Sequence, residues 1–117
     1  MTGSAATPLR HIPVAAAAEV PEGTMLMVQV EGTNVLLVNQ DGLHALQGIC
    51  SHEYFELDRG FLTGDSVTCA LHLSRFDVAT GEALDPPAEL PLAVYEVSVE
   101  AGTVVLHLPE GQIRVNE

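Results

Sequence analysis

Cys50-Ser51-His52, then sixteen residues, then Cys69-Ala70-Leu71-His72: this stretch decides how the 117-residue chain is read. In one-letter form it is C-x-H-x16-C-x-x-H. Cys50 and Cys69 are the only two cysteines, and each is followed within three positions by a histidine, His52 and His72. Residues i and i+2 of an extended segment point to one side, and residues i and i+3 of a tight turn converge. Each half can therefore offer one sulfur and one imidazole from a short loop. Two soft thiolates with two imidazoles suit zinc or an iron–sulfur centre. Ligand order bears on the choice. Zinc sites of the Cys₂His₂ kind pair cysteine with cysteine and histidine with histidine, whereas here each loop mixes the two.

Outward from that stretch the chain reads as short strands and turns. Residues 9–12 suggest a first strand ending at Pro13, and Pro21-Glu22-Gly23 is a turn signal. Thr24–Val30 is rich in apolar and β-branched residues, as a half-buried strand would be. Residues 31–34 supply a hairpin turn, and 35–39 form the returning strand. Asp41-Gly42 is a strong hairpin dipeptide, followed by a strand over 43–48 that delivers Cys50. Beyond the first ligand pair, 61–64 reads as a turn and 66–69 as a short strand. Residues 75–78 pair with 82–84 across Ala79-Thr80-Gly81. Pro86-Pro87 cannot join a ladder and forms a loop. A long strand over 92–99 turns at Ala101-Gly102 into another over 104–108. Residues 1–8 and 109–117 read as polar tails. The expectation is a single all-β domain of antiparallel barrel or sandwich type over 1–117.

Composition narrows the function. Sixteen acidic residues face four arginines, giving a net charge of −12. Nucleic-acid binding needs a basic face and is excluded. An acidic surface keeps a small protein dispersed and can steer it toward a basic partner. No apolar run approaches the roughly twenty residues that span a bilayer, and the amino terminus lacks a basic start and an apolar leader segment. Free thiolates for a metal fit a reducing, cytoplasmic setting. His11, His44 and His107 lie outside the motif and are expected on strand or turn surfaces.

The block 50–87 resembles the Rieske signature. It has both ligand pairs, Gly60-x-x-x-Gly64 between them, Phe76-Asp77, Thr80-Gly81 and Pro86-Pro87. The resemblance implies a Rieske-type antiparallel β base with a small cluster-binding β subdomain, here about 45–87. It implies a [2Fe-2S] cluster with Cys50 and Cys69 on one iron and His52 and His72 on the other. Two ferric ions and two sulfides sum to +2, and two thiolates bring that to zero. A neutral centre accepts an electron more readily than a four-cysteine one, so histidine ligation raises the potential to between about −150 and +300 mV.

By the same resemblance the chain is no enzyme. It is a soluble one-electron carrier between a flavin-dependent NAD(P)H reductase and a terminal oxygenase, commonly one hydroxylating aromatic rings. Alternatives are a zinc-stabilised binding module and the small subunit of a nitrite reductase, which shares the fold. Tyr54, Phe55, Leu57 and Leu73 are expected to shield the cluster or to form an apolar docking rim, with Pro86-Pro87 covering it. Respiratory relatives carry an extra cysteine in each loop and a tyrosine where this chain has Phe76; both features are missing here. Ser74 matches their serine. Ala70 and Leu73 stand where many relatives have proline and glycine.

Overall fold

The computed structural model describes residues 9–51, 55–70, 73–85 and 90–109. Nine strands run through them: β1 (Leu9–Ala16), β2 (Thr24–Val30), β3 (Thr33–Asn39), β4 (Leu43–Gln47), β5 (Phe61–Thr63), β6 (Ser66–Thr68), β7 (Arg75–Asp77), β8 (Val94–Glu100) and β9 (Thr103–Pro109). Six of them form one curled sheet in the order β1-β9-β8-β4-β3-β2, with antiparallel pairing throughout. The other three form a small sheet, β5-β6-β7, also antiparallel. Among the described residues no helix is long and apolar enough to cross a membrane.

Turn chemistry sets the register. Glu31-Gly32 and Ala101-Gly102 have φ of 54° and 82°, and of 52° and 81°. Positive φ at both central positions is the primed turn whose twist matches the flanking strands. Two hairpins follow directly, with Val30 opposite Thr33 and Glu100 opposite Thr103.

Strand β3 explains how one small frame supports two cores. Successive side chains of a strand point to opposite faces. Val35 and Leu37 pack with Val104, Leu106 and Leu108 inside the curled sheet. Leu36 and Val38 point the other way and pack with Val67, Phe76 and Val78, from and just after the small sheet. All four β3 side chains are fully buried, each worth roughly 1.5–3 kcal/mol of burial. Strand β4 does the same, sending Ala45 to the first core and Leu46 to the second. Both cysteines belong to the second core, so the base and the small sheet jointly hold them.

Several expectations shift by a few residues. Strand β1 continues past Pro13 to Ala16, with a register irregularity between Pro13 and Ala15. It lies at the sheet's edge, where a proline without an N–H is tolerated. Residues 61–63, read as part of a turn, form β5. The return segment 82–84 makes a single bridge, Phe76 to Ala83, rather than a strand. Pro109 ends β9 instead of opening a tail, and 1–8 and 110–117 lie outside the described residues.

Candidate metal centre

Cys50 and Cys69 occupy equivalent places in two loops of similar build. The Cys50 N–H donates to the Phe55 carbonyl at 3.0 Å, and the Cys69 N–H donates to the Ser74 carbonyl at 2.8 Å. Each cysteine thus sits at the mouth of a loop closed by its own amide. The first loop is held further by the Ile49–Glu56 bridge and by the Leu57 N–H on the Gly48 carbonyl at 2.9 Å. The second is tightened by the Leu73 N–H on the Cys69 carbonyl at 2.8 Å. Strand β4 leads into the first loop, and β6 and β7 flank the second. His52 and Tyr54 fall within the first loop's span and His72 within the second's; all three lie outside the described residues, as do Pro86 and Pro87.

The donor set fits an iron–sulfur group. Neither cysteine is in a disulfide, and the two are 2% and 1% exposed in one apolar core. Bare thiolates would be costly there, and ligated metal removes that cost. Phe55 packs against this core and Leu57 is fully buried in it. Phe76 is fully buried in the same core, and Ser74 is 1% exposed. Leu73 is the exception at 63% exposed, with φ of 63°.

Two contacts that sequence reasoning passed over join the loops to neighbouring segments. The Ser51 hydroxyl donates to the Leu90 carbonyl at 2.6 Å, which brings Leu90, 66% exposed, to the first ligand loop. Its only signal in the sequence is a leucine in a proline-rich loop, with no strand periodicity to bury it. Arg75 forks onto Asp85 at 2.6 and 3.2 Å. These hydrogen bonds hold the Asp85 carboxyl below its ordinary value and the guanidinium above its own. They tie β7 to the segment that leads toward Pro86.

A model of the Rieske [2Fe-2S] domain matches residues 10–96. The chain is 38% identical over 91 residues to the ferredoxin component of the naphthalene 1,2-dioxygenase system of Pseudomonas aeruginosa, covering 77% of this chain and 88% of that one. Sphingomonas yanoikuyae B1 ferredoxin superposes with a TM-score of 0.80 at 28% identity, over 86% of this chain and 100% of that one. A chain from the complex of reduced oxygenase and oxidised ferredoxin in carbazole 1,9a-dioxygenase gives a TM-score of 0.78 at 31% identity, over 83% of this chain and 92% of that one. The cofactor is therefore a [2Fe-2S] cluster rather than zinc. The chain belongs to the Rieske [2Fe-2S] domain family, among the electron-carrying ferredoxin components of dioxygenase systems.

Proposed function

We propose that this protein passes single electrons from a flavin-dependent NAD(P)H reductase to a terminal oxygenase acting on aromatic rings, in the cytoplasm. The observation that carries this reading is the pair of buried cysteines, each fixed by its own loop amide and each in a loop that contains a histidine in sequence. When bound, the cluster supplies a one-electron acceptor and donor. Cys50 and Cys69 would hold it through their sulfurs, and His52 and His72 would each hold it through one ring nitrogen, with the second nitrogen able to hold or release a proton. Residues about 45–87 act as the cluster-binding unit on the remaining β base. Leu57, Phe55 and Phe76 exclude water from the sulfurs.

Phe76 brings no hydroxyl, and the chain has no further cysteines for a loop disulfide. Hydrogen bonds to the sulfurs raise such potentials. A potentiometric titration is expected to give a one-electron midpoint in the lower part of the range of about −150 to +300 mV. A midpoint near the upper end would contradict this.

Leu73 is the anchor we assign to docking. Its φ of 63° belongs to the turn that its N–H closes on the Cys69 carbonyl, and that turn leaves the side chain 63% exposed, where a partner can bury it. Leu90, 66% exposed beside the first loop, offers a second apolar residue, with solvated acids elsewhere steering the approach. The test is a reconstituted system of NADH, reductase, this protein and oxygenase. Leu73→Asp is expected to keep the visible spectrum and slow oxygenase turnover by about tenfold or more, equivalent to ~1.4 kcal/mol of lost contact. An unchanged rate would remove Leu73 from the interface.

A further inference from the structure

The outer face of the six-stranded sheet places two imidazoles and a carboxylate together on strands that bear neither cysteine. His11 on β1 and His107 on β9 are direct cross-strand partners. Their rings stack with centroids 4.3 Å apart and planes at 26°. The Glu100 Oε2 on β8 lies 3.7 Å from His11 Nδ1 and 3.8 Å from His107 Nε2. One ligand atom from each of the three lies within 4.8 Å of the others. His107 is only 16% exposed in its side chain, and its Nε2 is 2.8 Å from the Ser98 hydroxyl, which also donates to Glu100 at 3.2 Å. Glu96 is the cross-strand partner of His107 on its other side and adds a second acid to this face.

We propose that His11, His107 and Glu100 form a second metal site, for a divalent zinc-like cation, that clasps the edge strand β1 to β9 and β8. Two imidazoles and one carboxylate are a donor set that zinc accepts with water in the remaining position. Neutral imidazole is the ligating form. A chain of net charge −12 favours a cation. Ligation needs two small movements. An imidazole lone pair lies in its ring plane, so the stack must open; His11, 55% exposed in its side chain, is free to turn. His107 must present Nε2 as an acceptor, with its proton on Nδ1, and the Ser98 hydroxyl then donates to Glu100 alone. The three donors span three adjacent strands, so a bound ion ties the sheet's edge to its interior.

The experiment is zinc titration by calorimetry into the oxidised, cluster-loaded full chain without a histidine tag. Visible absorbance is followed to verify that iron is not displaced. One zinc per chain is expected, with a rise in melting temperature. His11→Ala and Glu100→Gln should each weaken binding by more than about tenfold, since losing even an outer partner of a metal costs that much. His44→Ala should leave it unchanged. His107→Gln, at a less exposed position, serves as a further variant whose fold is verified by its cluster spectrum. Absent saturable binding, or equal binding by the His11→Ala and Glu100→Gln proteins, would overturn the proposal.

Discussion

Cys69→Ala protein is expected to purify colourless, with iron reduced to background, while the six-stranded sheet stays folded. The reason lies in how the two cores divide. Cys69 belongs to the core shared with the small sheet, together with Leu57, Val67 and Phe76. The curled sheet keeps its own core of Val30, Val35, Leu37, Val104, Leu106 and Leu108. On the proposed ligation, losing this sulfur removes a metal ligand outright, and binding of metal to such loops is itself folding free energy for them. The loss should therefore fall on the loops 50–55 and 69–74 and on β5–β7. Visible spectroscopy and iron assay read the first effect. Far-UV circular dichroism and hydrogen exchange read the second, with protection surviving in β3, β8 and β9. A Cys69→Ala protein of full colour would contradict its place as a ligand, and so would one with normal iron content.

Gly60→Ala is the second large effect, and it acts through backbone rather than ligand. Gly60 closes a short 3-10 turn, Leu57–Arg59, and its N–H donates to the Leu57 carbonyl at 3.0 Å. A Cβ placed there would stand 1.9 Å from the Thr68 carbonyl oxygen. That oxygen belongs to β6, one residue before Cys69, and a backbone atom cannot swing aside as a side chain can. Either Gly60 or the end of β6 must move, and the second outcome displaces the cysteine. Overpacking of this kind costs about 1–3 kcal/mol, occasionally more. Gly64 is the matched comparison. It has φ of 56°, and a methyl group added there would meet nothing within 4 Å. Gly64→Ala therefore meets only conformational strain of roughly 1–2 kcal/mol. Thermal unfolding of the cluster-loaded proteins should rank Gly60→Ala below Gly64→Ala, and only Gly60→Ala should lose iron. Equal stability and equal iron in the two variants would show that β6 yields without moving the site.

That comparison also shows why a glycine pair in the sequence can be recognised without its reasons being visible. Gly60-x-x-x-Gly64 marks the block as Rieske-like, yet one glycine is needed for space and the other for backbone sign. Spacing alone does not separate those requirements. Strand β2 is legible to its ends because Thr24–Val30 combines apolar, β-branched residues with turn signals on both sides. Strand β5 is not, because three residues with Phe61 and Thr63 exposed carry no alternation to read. The extent of β1 is hidden by Pro13, whose missing N–H matters only once the strand is known to be an edge. Leu57 and Leu73 illustrate the limit at the site. Both are leucines close to a ligand pair, but one is sealed in the core and the other projects outward. Distance along the chain from a ligand says nothing about direction, which the loop's hydrogen bonds decide. Leu90 becomes visible only through the Ser51 contact that folds its segment onto the first loop.

The most direct measurement is chemical: iron and acid-labile sulfide determined on anaerobically purified protein, with an EPR spectrum after one-electron reduction. Two irons and two sulfides per chain with a rhombic signal are expected of a cluster held unequally by sulfur and imidazole. Well-folded protein that contains zinc or no metal, with neither sulfide nor signal, would contradict the assignment.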